Sequence, residues 1–298
     1  MSMLAFVQFP HPKDEAKPDR KTRSTYDWNC GKHHRRFMQA SGAYTTSGDS
    51  SESQSGEFCF WGEWEGHGRC VEQLNSQDRE SPNYLCKPIL SRPPKDRTGL
   101  QNTDPLVFGE RFRYSNCRQY SGKCQTQLRN LEPGSVILYG STFVDRFVLD
   151  TVFVVSDKRQ PWRTNREFPR NNELIDDILR DTTLKPLQNK TCSDTGGDYQ
   201  DLVIYGGVTY AERENYGGMF SFVPAQLCSN GTIGFKRPTI QLDGIVNPES
   251  TRAARYNKDV IRGDKEKIHQ LWREVADQVV TSDLLLAHFL SPPERKDL

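Results

Sequence analysis

The chain has 298 residues, with 40 Lys and Arg against 39 Asp and Glu and a formal net charge of +1 at pH 7. This balance excludes a uniformly cationic nucleic-acid-binding protein, so any contact with nucleic acid must come from local basic patches. Only 35% of the residues are hydrophobic but 10% are aromatic, which argues against a disordered chain and predicts a globular core with long polar loops.

Targeting signals are absent from the sequence pattern. No apolar run approaches the ~18 residues that a membrane span needs, so we expect a soluble, cytoplasmic protein with no membrane partner. The eight Cys include no CxxC pair and do not predict a disulfide framework, which leaves the sequons at Asn189 and Asn230 without a role. The length predicts one large α+β domain over residues 1–298, with possible sub-lobes 1–160 and 161–298.

Short apolar or alternating stretches bounded by Gly, Pro and charged residues predict a chain rich in β-strands. In chain order, the predicted strands cover residues 4–9, 57–65, 135–139, 147–155, 202–205 and 219–223. Pro10 and Pro12 are expected to end the first strand because proline cannot donate a ladder hydrogen bond. Gly140 and Ser141 are expected to break the chain after the third strand.

Two helices are predicted, a short one over 172–180 and a long one over 264–290 that is broken or bent near Thr281 and Ser282. The apolar stripe of the long helix comprises Ile268, Leu271, Trp272, Val275 and Val279. Polar loops are expected before Thr25, over 47–55 and over 73–103. The fold class is therefore α+β, with a mostly antiparallel or mixed β core, long polar loops and a helical C-terminus.

The segment FWGEWE is the most informative chemically. Alternate side chains of a strand face opposite ways, so Trp61, Glu63 and Glu65 share one face. Carboxylates two positions apart lie about 6.5–7 Å apart at the backbone. That spacing allows one carboxylate to activate a water while the other stabilises a cationic sugar. The alternative is a solvated surface pair that interacts with the basic cluster near Arg35.

Asp150 lies within an apolar stretch, and alternation places it on the same face as Val148, Val152 and Val154. A buried carboxylate must be paired, hydrogen-bonded or protonated, and such groups cluster at active sites. Asp150 is therefore a second candidate for the catalytic carboxylate. The alternative is a structural ion pair with Arg146 or Arg111.

Three of the six histidines fall in two short segments, as His11 and the adjacent His33 and His34. We expect Arg35 and Arg36, which follow directly, to bind phosphate while a histidine donates a hydrogen bond or a proton. An ordinary solvated basic turn would have the same sequence.

A zinc site is an alternative for this region. Cys30, His33 and His34 could supply ligands, with Cys59 or Cys70 completing the set. The spacing is loose and no second ligand pair supports it, so no metal is predicted.

Arg111 and Arg113 alternate with Phe112 and Tyr114. Cations interleaved with aromatic rings suit a nucleic-acid backbone and its bases, although an edge strand would have the same pattern. Glycines near Arg237 could line a pocket. The sequence contains no P-loop, Rossmann fingerprint, GxSxG, HExxH or kinase motif, so no nucleotide cofactor, and no cofactor at all, is predicted.

A family resemblance follows from several segments taken in order. They are FVQFPHP, WNCGKHHRRF, FWGEWE, FGERFRYS, PGSVILYGS, FVLDTVFVV and MFSFVP. Over most of its length the chain resembles a prokaryotic family found near phage-defence and DNA-modification genes. It is similar to antiphage DNA glycosylases that remove glucosylated cytosine, and FWGEWE is the most specific segment. Relatives have roughly HPGxEH where this chain has HPKDEA, which weakens the case for catalysis by the His11 segment.

The resemblance implies a glycosylase that flips a modified base out of phage DNA and cleaves its N-glycosidic bond in antiviral defence. The residue roles follow from chemistry: Glu63 and Glu65 would act on the water and the sugar cation, with Asp150 as the alternative carboxylate. Trp61 would stack on the base. The remaining predicted substrate-binding residues are His11, His34, Arg35, Arg36, Arg111 and Arg113.

Two other functions fit the same sequence. The strands at 135–139 and 147–155 resemble the paired strands of PUA, EVE and ASCH domains, which implies a reader that binds a modified base without cutting. A metal-dependent nuclease could use Asp150 together with the two glutamates.

Overall fold

A computed structural model of the protein describes residues 2–11, 18, 24–74, 78, 80–143, 145–169, 172–188, 201–228, 234–250, 255–256 and 263–296. The predicted loop at 12–23, apart from Pro18, and the sequons at Asn189 and Asn230 lie outside these residues. Among the described residues, no helix has both the length and the apolar character to cross a membrane.

The described strands form two mixed sheets and a small hairpin. In chain order they are β1 (Phe6–His11), β2 (Thr25–Tyr26), β3 (Arg36–Thr45), β4 (Gln54–Gly62), β5 (Gly68–Gln73), β6 (Tyr84–Leu90), β7 (Arg113–Tyr114), β8 (Tyr120–Ser121), β9 (Cys124–Gln125), β10 (Val136–Phe143), β11 (Arg146–Arg163), β12 (Asp201–Gly207), β13 (Val223–Leu227), β14 (Arg255–Tyr256), β15 (Leu285–Leu290) and β16 (Glu294–Arg295).

The helices are few and short apart from one. Helix α1 (Asp177–Leu179) continues into a π-helical turn (Arg180–Leu184), and α2 (Lys265–Thr281) is the long helix near the C-terminus. Two 3-10 helices cover Gln127–Asn130 and Tyr210–Tyr216. The sheet-rich core with a late helix confirms the predicted α+β class.

Strands from both halves of the chain contribute to both main sheets. The first sheet has the order β14-β1-β10-β11-β12-β7, in which β1 and β10 are parallel. The second has the order β15-β13-β4-β3-β6-β5-β2, with β16 beside β6. Because β15 also pairs with β3, the strands β3, β4, β13 and β15 form a closed ring of pairings.

Ring closure brings the backbones of β3 and β15 unusually close. A side chain at Gly42 would place its Cβ 1.9 Å from the carbonyl oxygen of Phe289. The absence of a side chain at residue 42 is therefore a requirement of the ring, since no rotamer change can relieve a clash with backbone.

Five predictions about the strands need correction. The predicted strand at 57–65 ends at Gly62 as β4, so Glu63 and Glu65 lie beyond it. The predicted loop over 73–103 contains β6, because this apolar segment pairs with β3 and β5.

The other three concern β1, β13 and β10. Strand β1 continues through Pro10 to His11, because its pairing with β14 covers only Val7 and Gln8 and the missing N–H lies beyond that ladder. The predicted strand at 219–223 is shifted to β13. The predicted break after residue 139 is instead a register shift inside β10.

The helix prediction over 264–290 is wrong beyond Thr281. Ser282 caps α2, and Asp283 takes a left-handed φ of 57°, which ends the helix. The apolar run that follows pairs with two strands as β15, because a short apolar run has no periodicity that separates helix from strand. The predicted stripe of α2 is buried as expected.

The short helix begins later than predicted. Asp176 caps it by accepting a hydrogen bond from the Leu179 N–H at 2.8 Å, and helical residues then extend to residue 188.

Two larger hydrophobic clusters flank the first sheet. One contains Phe58, Phe60 and Trp64 and lies between the two main sheets. The other packs α2 against β11, with Trp272 in contact with Phe220 and Phe222. Each face of the first sheet is therefore covered by apolar side chains.

Replacing Trp272 with Ala should lower the free energy of unfolding by about 3–5 kcal/mol, because the indole is buried and leaves a cavity. Urea denaturation of the purified protein measures this. Asp277→Ala, on the exposed face of the same helix, should change stability by no more than about 0.5 kcal/mol. Equal effects of the two substitutions would contradict the packing of α2.

Candidate functional site

Two glutamates and a histidine meet just beyond the end of β4. Glu63 and Glu65 are both buried, and the Nδ1 atom of His33 lies 2.8 Å from Oε1 of Glu65 and 3.2 Å from Oε1 of Glu63. His33 precedes β3, the strand that pairs with β4. The antiparallel pairing of β3 and β4 therefore carries the imidazole to the two carboxylates.

Arg35 joins this group to the other sheet. Its Nη1 donates to Oε2 of Glu63 at 2.6 Å, and its Nε donates to Oδ2 of Asp150 at 3.0 Å. Nη1 of Arg237 donates to the second oxygen of Asp150 at 3.2 Å. We call these six residues the charged cluster: His33, Arg35, Glu63, Glu65, Asp150 and Arg237.

The charged cluster is balanced. Its three carboxylates carry a formal charge of −3, and its two guanidinium groups with a protonated imidazole carry +3. A buried charge is tolerated when it is paired and hydrogen-bonded, and each carboxylate here contacts a cation.

Asp150 reaches the cluster through a β-bulge. Tyr139 of β10 is opposite Thr151 and Gly140 is opposite Leu149, which leaves Asp150 as the extra residue of β11. Strict alternation therefore fails here: Leu149 and Val152 pack in the same hydrophobic cluster, while Asp150 turns to the arginines. The prediction that Asp150 shares a face with Val152 and Val154 is wrong for this reason.

The ion pair partners expected for Asp150 are also corrected. Arg146 pairs with Glu80 and Arg111 with Glu212, while Asp150 binds Arg35 and Arg237. A side chain at Gly140 would place its Cβ 2.1 Å from the carbonyl oxygen of Val148, so the bulge needs glycine there.

Further polar groups hold the two glutamates from outside the cluster. Asn29 Nδ2 donates to Oε2 of Glu65 at 2.5 Å. The N–H of Asp104 donates to Oε1 of Glu63 at 3.2 Å, and Oγ1 of Thr103 accepts from the N–H of Glu65 at 3.0 Å. Each glutamate is thus fixed from two sides.

The electrostatics favour charged forms. Burial opposes the charge of Glu63, but the positive charges of His33 and Arg35 and, more weakly, of His11 hold the pKa of its carboxyl well below the usual range. Burial also opposes the charge of His33, but the charges and hydrogen bonds of Glu63 and Glu65 raise the pKa of the imidazole to about 11.

His33 is the member of the cluster nearest to solvent. Its side chain is 21% exposed, against 4% for Glu63, 2% for Glu65 and 1% for Arg35. A substrate that approaches this conformation therefore meets His33 before either carboxylate.

Trp61 lies beside the cluster but inside the core. The guanidinium of Arg237 sits 5.5 Å from its ring centroid, Phe37 packs against it, and its Nε1 donates to the carbonyl of Phe235 at 2.8 Å. Only 2% of Trp61 is exposed. Stacking of Trp61 on a flipped base stays a prediction, and in this conformation the ring supports Arg237.

The remaining histidine and arginine candidates near the site make other contacts as well, although the charge of His11 still acts on the pKa of Glu63. His11 is buried and packs against Phe9. His34 is half-buried, and its neighbour His33 is the histidine that contacts the glutamates. The guanidinium of Arg36 lies 4.6 Å from the ring centroid of Tyr26, in contacts different from those of Arg35.

Arg111 and Arg113 belong to other contacts. Arg111 makes a bidentate ion pair with Glu212, with nitrogen–oxygen distances of 2.6 and 2.7 Å. Arg113 is buried and binds Asp176 at 2.8 Å and the carbonyl of Phe108 at 2.8 Å. Their predicted contact with phosphate would have to compete with these partners.

The sequence predicts Arg35, the two glutamates and Asp150 as site residues, and the structure brings these four together. The predicted histidine is His34, whereas His33 contacts the glutamates. Position in the chain does not separate adjacent histidines, whereas the register of β3 against β4 does. Thr103 is the last residue of the predicted polar loop and Asp104 follows it, and nothing in that segment marks them as neighbours of the glutamates.

One group of potential metal ligands occurs in the described part of the chain. It consists of His33, Glu63 and Glu65, whose ligand atoms all lie within 4.8 Å of one another. No cysteine belongs to it. Cys30 is exposed and Cys59 is buried against Phe37, so the cysteines of the zinc alternative are not in this group.

Comparison of the chain with protein-family models, with curated proteins and with solved structures found no match.

Asp150→Asn should lower the free energy of unfolding by about 3–5 kcal/mol, because it leaves two buried guanidinium groups without their shared anion. The matched control is Asp201→Asn, whose exposed pair with Arg163 should be worth less than about 1 kcal/mol. Urea unfolding at pH 7 compares them, and similar losses would rule out a special role for the buried pair.

The protonation of His33 should make stability fall as pH rises. The pKa of His33 is about 11 in the folded protein, whereas in the unfolded chain it returns to its ordinary value of 6.5. Its stabilising contribution is complete below pH 6.5 and is lost toward pH 11, with a slope of at most about 1.4 kcal/mol per pH unit.

Urea unfolding between pH 6.5 and 9 should show this slope in the parent protein and lose it in His33→Gln. His288→Gln is the control, because burial lowers the pKa of His288 to about 4 and leaves it neutral throughout that range. Parallel pH profiles for the parent and His33→Gln would contradict the assignment.

Proposed function

We propose that this protein is a DNA base glycosylase that hydrolyses the N-glycosidic bond of a modified nucleobase, with glucosylated cytosine in phage DNA as the substrate class. The supporting observation is the convergence of two buried glutamates on one partly exposed, protonated histidine. The resemblance of FWGEWE and its neighbouring segments to antiphage glycosylases adds the substrate class and the role in antiviral defence.

Breaking an N-glycosidic bond moves the bonding electron pair to the base and leaves positive charge on the sugar. A cationic hydrogen-bond donor stabilises the departing base, and a carboxylate stabilises the sugar. His33 Nδ1 is held by Glu63 and Glu65, so Nε2–H is its donor for the base. In this scheme one protein group acts on each of the two charges that develop.

The two glutamates take different roles in this scheme. Glu63 is held ionised between His33 and Arg35, which suits electrostatic stabilisation of the sugar cation. One carboxylate oxygen of Glu65 is hydrogen-bonded to His33 and the other accepts from Asn29. In this scheme Glu65 accepts the proton of the attacking water. Asp150 contacts only arginines within the cluster and acts by holding Arg35 in place.

A metal-dependent nuclease is a second candidate, favoured by the spacing of the ligand atoms. Two ligands bound about 2.1 Å from a metal at right angles lie about 3.0 Å apart, and Nδ1 of His33 lies 2.8 and 3.2 Å from the two Oε1 atoms. The net charge of the cluster argues against a bound divalent metal. The cluster is neutral with protonated His33, whereas a divalent cation beside a neutral imidazole would leave the cluster with a net charge of +1.

Abasic-site formation tests the proposal. Phage DNA with glucosylated hydroxymethylcytosine should acquire alkali-labile sites in the presence of EDTA, and unmodified DNA should not. Glu63→Gln, Glu65→Gln and His33→Gln should each lower the rate by about 100-fold or more, because each removes a charge from the reacting centre. Glu57→Gln, on the exposed part of β4, should retain the parental rate.

Each other outcome has a distinct meaning. Parental rates for both glutamate variants would refute the assigned roles. Strand breaks that EDTA abolishes would identify the nuclease. Tight binding to modified DNA without abasic sites would identify a reader domain.

A further inference from the structure

The adjacent residues Thr103 and Asp104 each contact a different glutamate of the charged cluster. Oγ1 of Thr103 accepts from the backbone N–H of Glu65 at 3.0 Å, and the backbone N–H of Asp104 donates to the carboxylate of Glu63 at 3.2 Å. Both residues have no exposed surface. A single dipeptide thus spans the two proposed catalytic groups.

The glutamates need such support because the sheet ends before them. Strand β4 stops at Gly62, so no ladder fixes the backbone at Glu63 and Glu65. The backbone of Glu65 is held instead by the N–H of Asn29 at 2.9 Å and by Thr103. Contacts from outside the strand therefore set the direction of both side chains.

Thr103 is itself held firmly. Its N–H donates to the carbonyl of Thr182 at 3.1 Å, and its carbonyl accepts from Oγ1 of Thr183 at 2.7 Å. Both partners lie in the π-helical turn that follows α1. The Thr103 hydroxyl is thus presented to Glu65 by a separate, buried element.

Asp104 is anchored by its side chain. Its carboxylate accepts hydrogen bonds from the backbone N–H groups of Ser115, Asn116 and Cys117 at 2.9, 2.8 and 2.6 Å. A buried carboxylate is costly unless its lone pairs are satisfied. These three donors satisfy it and fix the backbone N–H that points to Glu63.

We propose that Thr103 and Asp104 are positioning residues for the hydrolysis, Thr103 acting on Glu65 and Asp104 on Glu63. The proposal rests on the proposed function. It follows from the sensitivity of catalysis to the position of the reacting groups, since a shift of about 1 Å can cost about 100-fold in rate. A structural role alone would affect folding without a selective effect on the chemical step.

The decisive pair of variants is Thr103→Val and Thr103→Ser. Valine has nearly the same shape but no acceptor for the N–H of Glu65, whereas serine keeps the hydroxyl. In the abasic-site assay, Thr103→Val should lower kcat about 10-fold with KM within about twofold, and Thr103→Ser should stay within about threefold of the parent. Equal kcat for Thr103→Val and the parent, or equal losses for both variants, would overturn the proposal.

A measurement that does not need activity separates this proposal from the proposed function. The imidazole ¹⁵N resonances of His33 report the positions of the Glu63 and Glu65 carboxylates in the free protein, without substrate. They should move in Thr103→Val and in Asp104→Asn and stay near parental values in Thr103→Ser. If the parent forms no abasic sites, the function fails, but unchanged resonances in Thr103→Val would still refute the positioning role.

Discussion

The bond between Arg35 and Asp150 is the contact on which the site depends. It joins the strand pair β3–β4 to β11 of the other sheet, and its atoms are removed from solvent. Arg35 brings Glu63 to the same point, and Glu63 with Glu65 holds His33. Because an unpaired charge is costly at this depth, each member of the cluster constrains the next. The result is a rigid charge array with one partly exposed residue, which is the arrangement expected of a preorganised reacting centre.

Local pattern predicted the parts of the molecule in which periodicity is regular. The apolar stripe of α2 is buried. Alternation also correctly separated Trp61, which lies in one hydrophobic cluster, from Phe58, Phe60 and Trp64, which lie together in another. Local pattern failed to predict the structure of segments whose conformation depends on strands distant in the sequence. The bulge at Asp150 requires Gly140 of another strand, and β15 is a strand because β3 and β13 lie beside it. Neither partner is visible from the local sequence.

The same distinction explains the candidate site. FWGEWE marks Glu63 and Glu65 by composition alone, because two carboxylates among indoles are unusual for a solvated strand. The choice between His33 and His34 depends on where β3 begins, which sequence patterns define only to within a few residues. Thr103 and Asp104 act through a backbone N–H and a hydroxyl in an irregular segment. Such contacts carry no compositional signal at all.

The closed ring of β3, β4, β13 and β15 also constrains the order of events during synthesis. β3 and β4 are neighbours in the chain and can pair as soon as both leave the ribosome, but β15 lies some 240 residues further on. Until residues 285–290 emerge, the outer half of β3 and one edge of β13 present unpaired N–H and C=O groups to solvent. Nascent chains stalled before that point would therefore be substrates for chaperones, and the arrival of residues 285–290 closes both edges in one step.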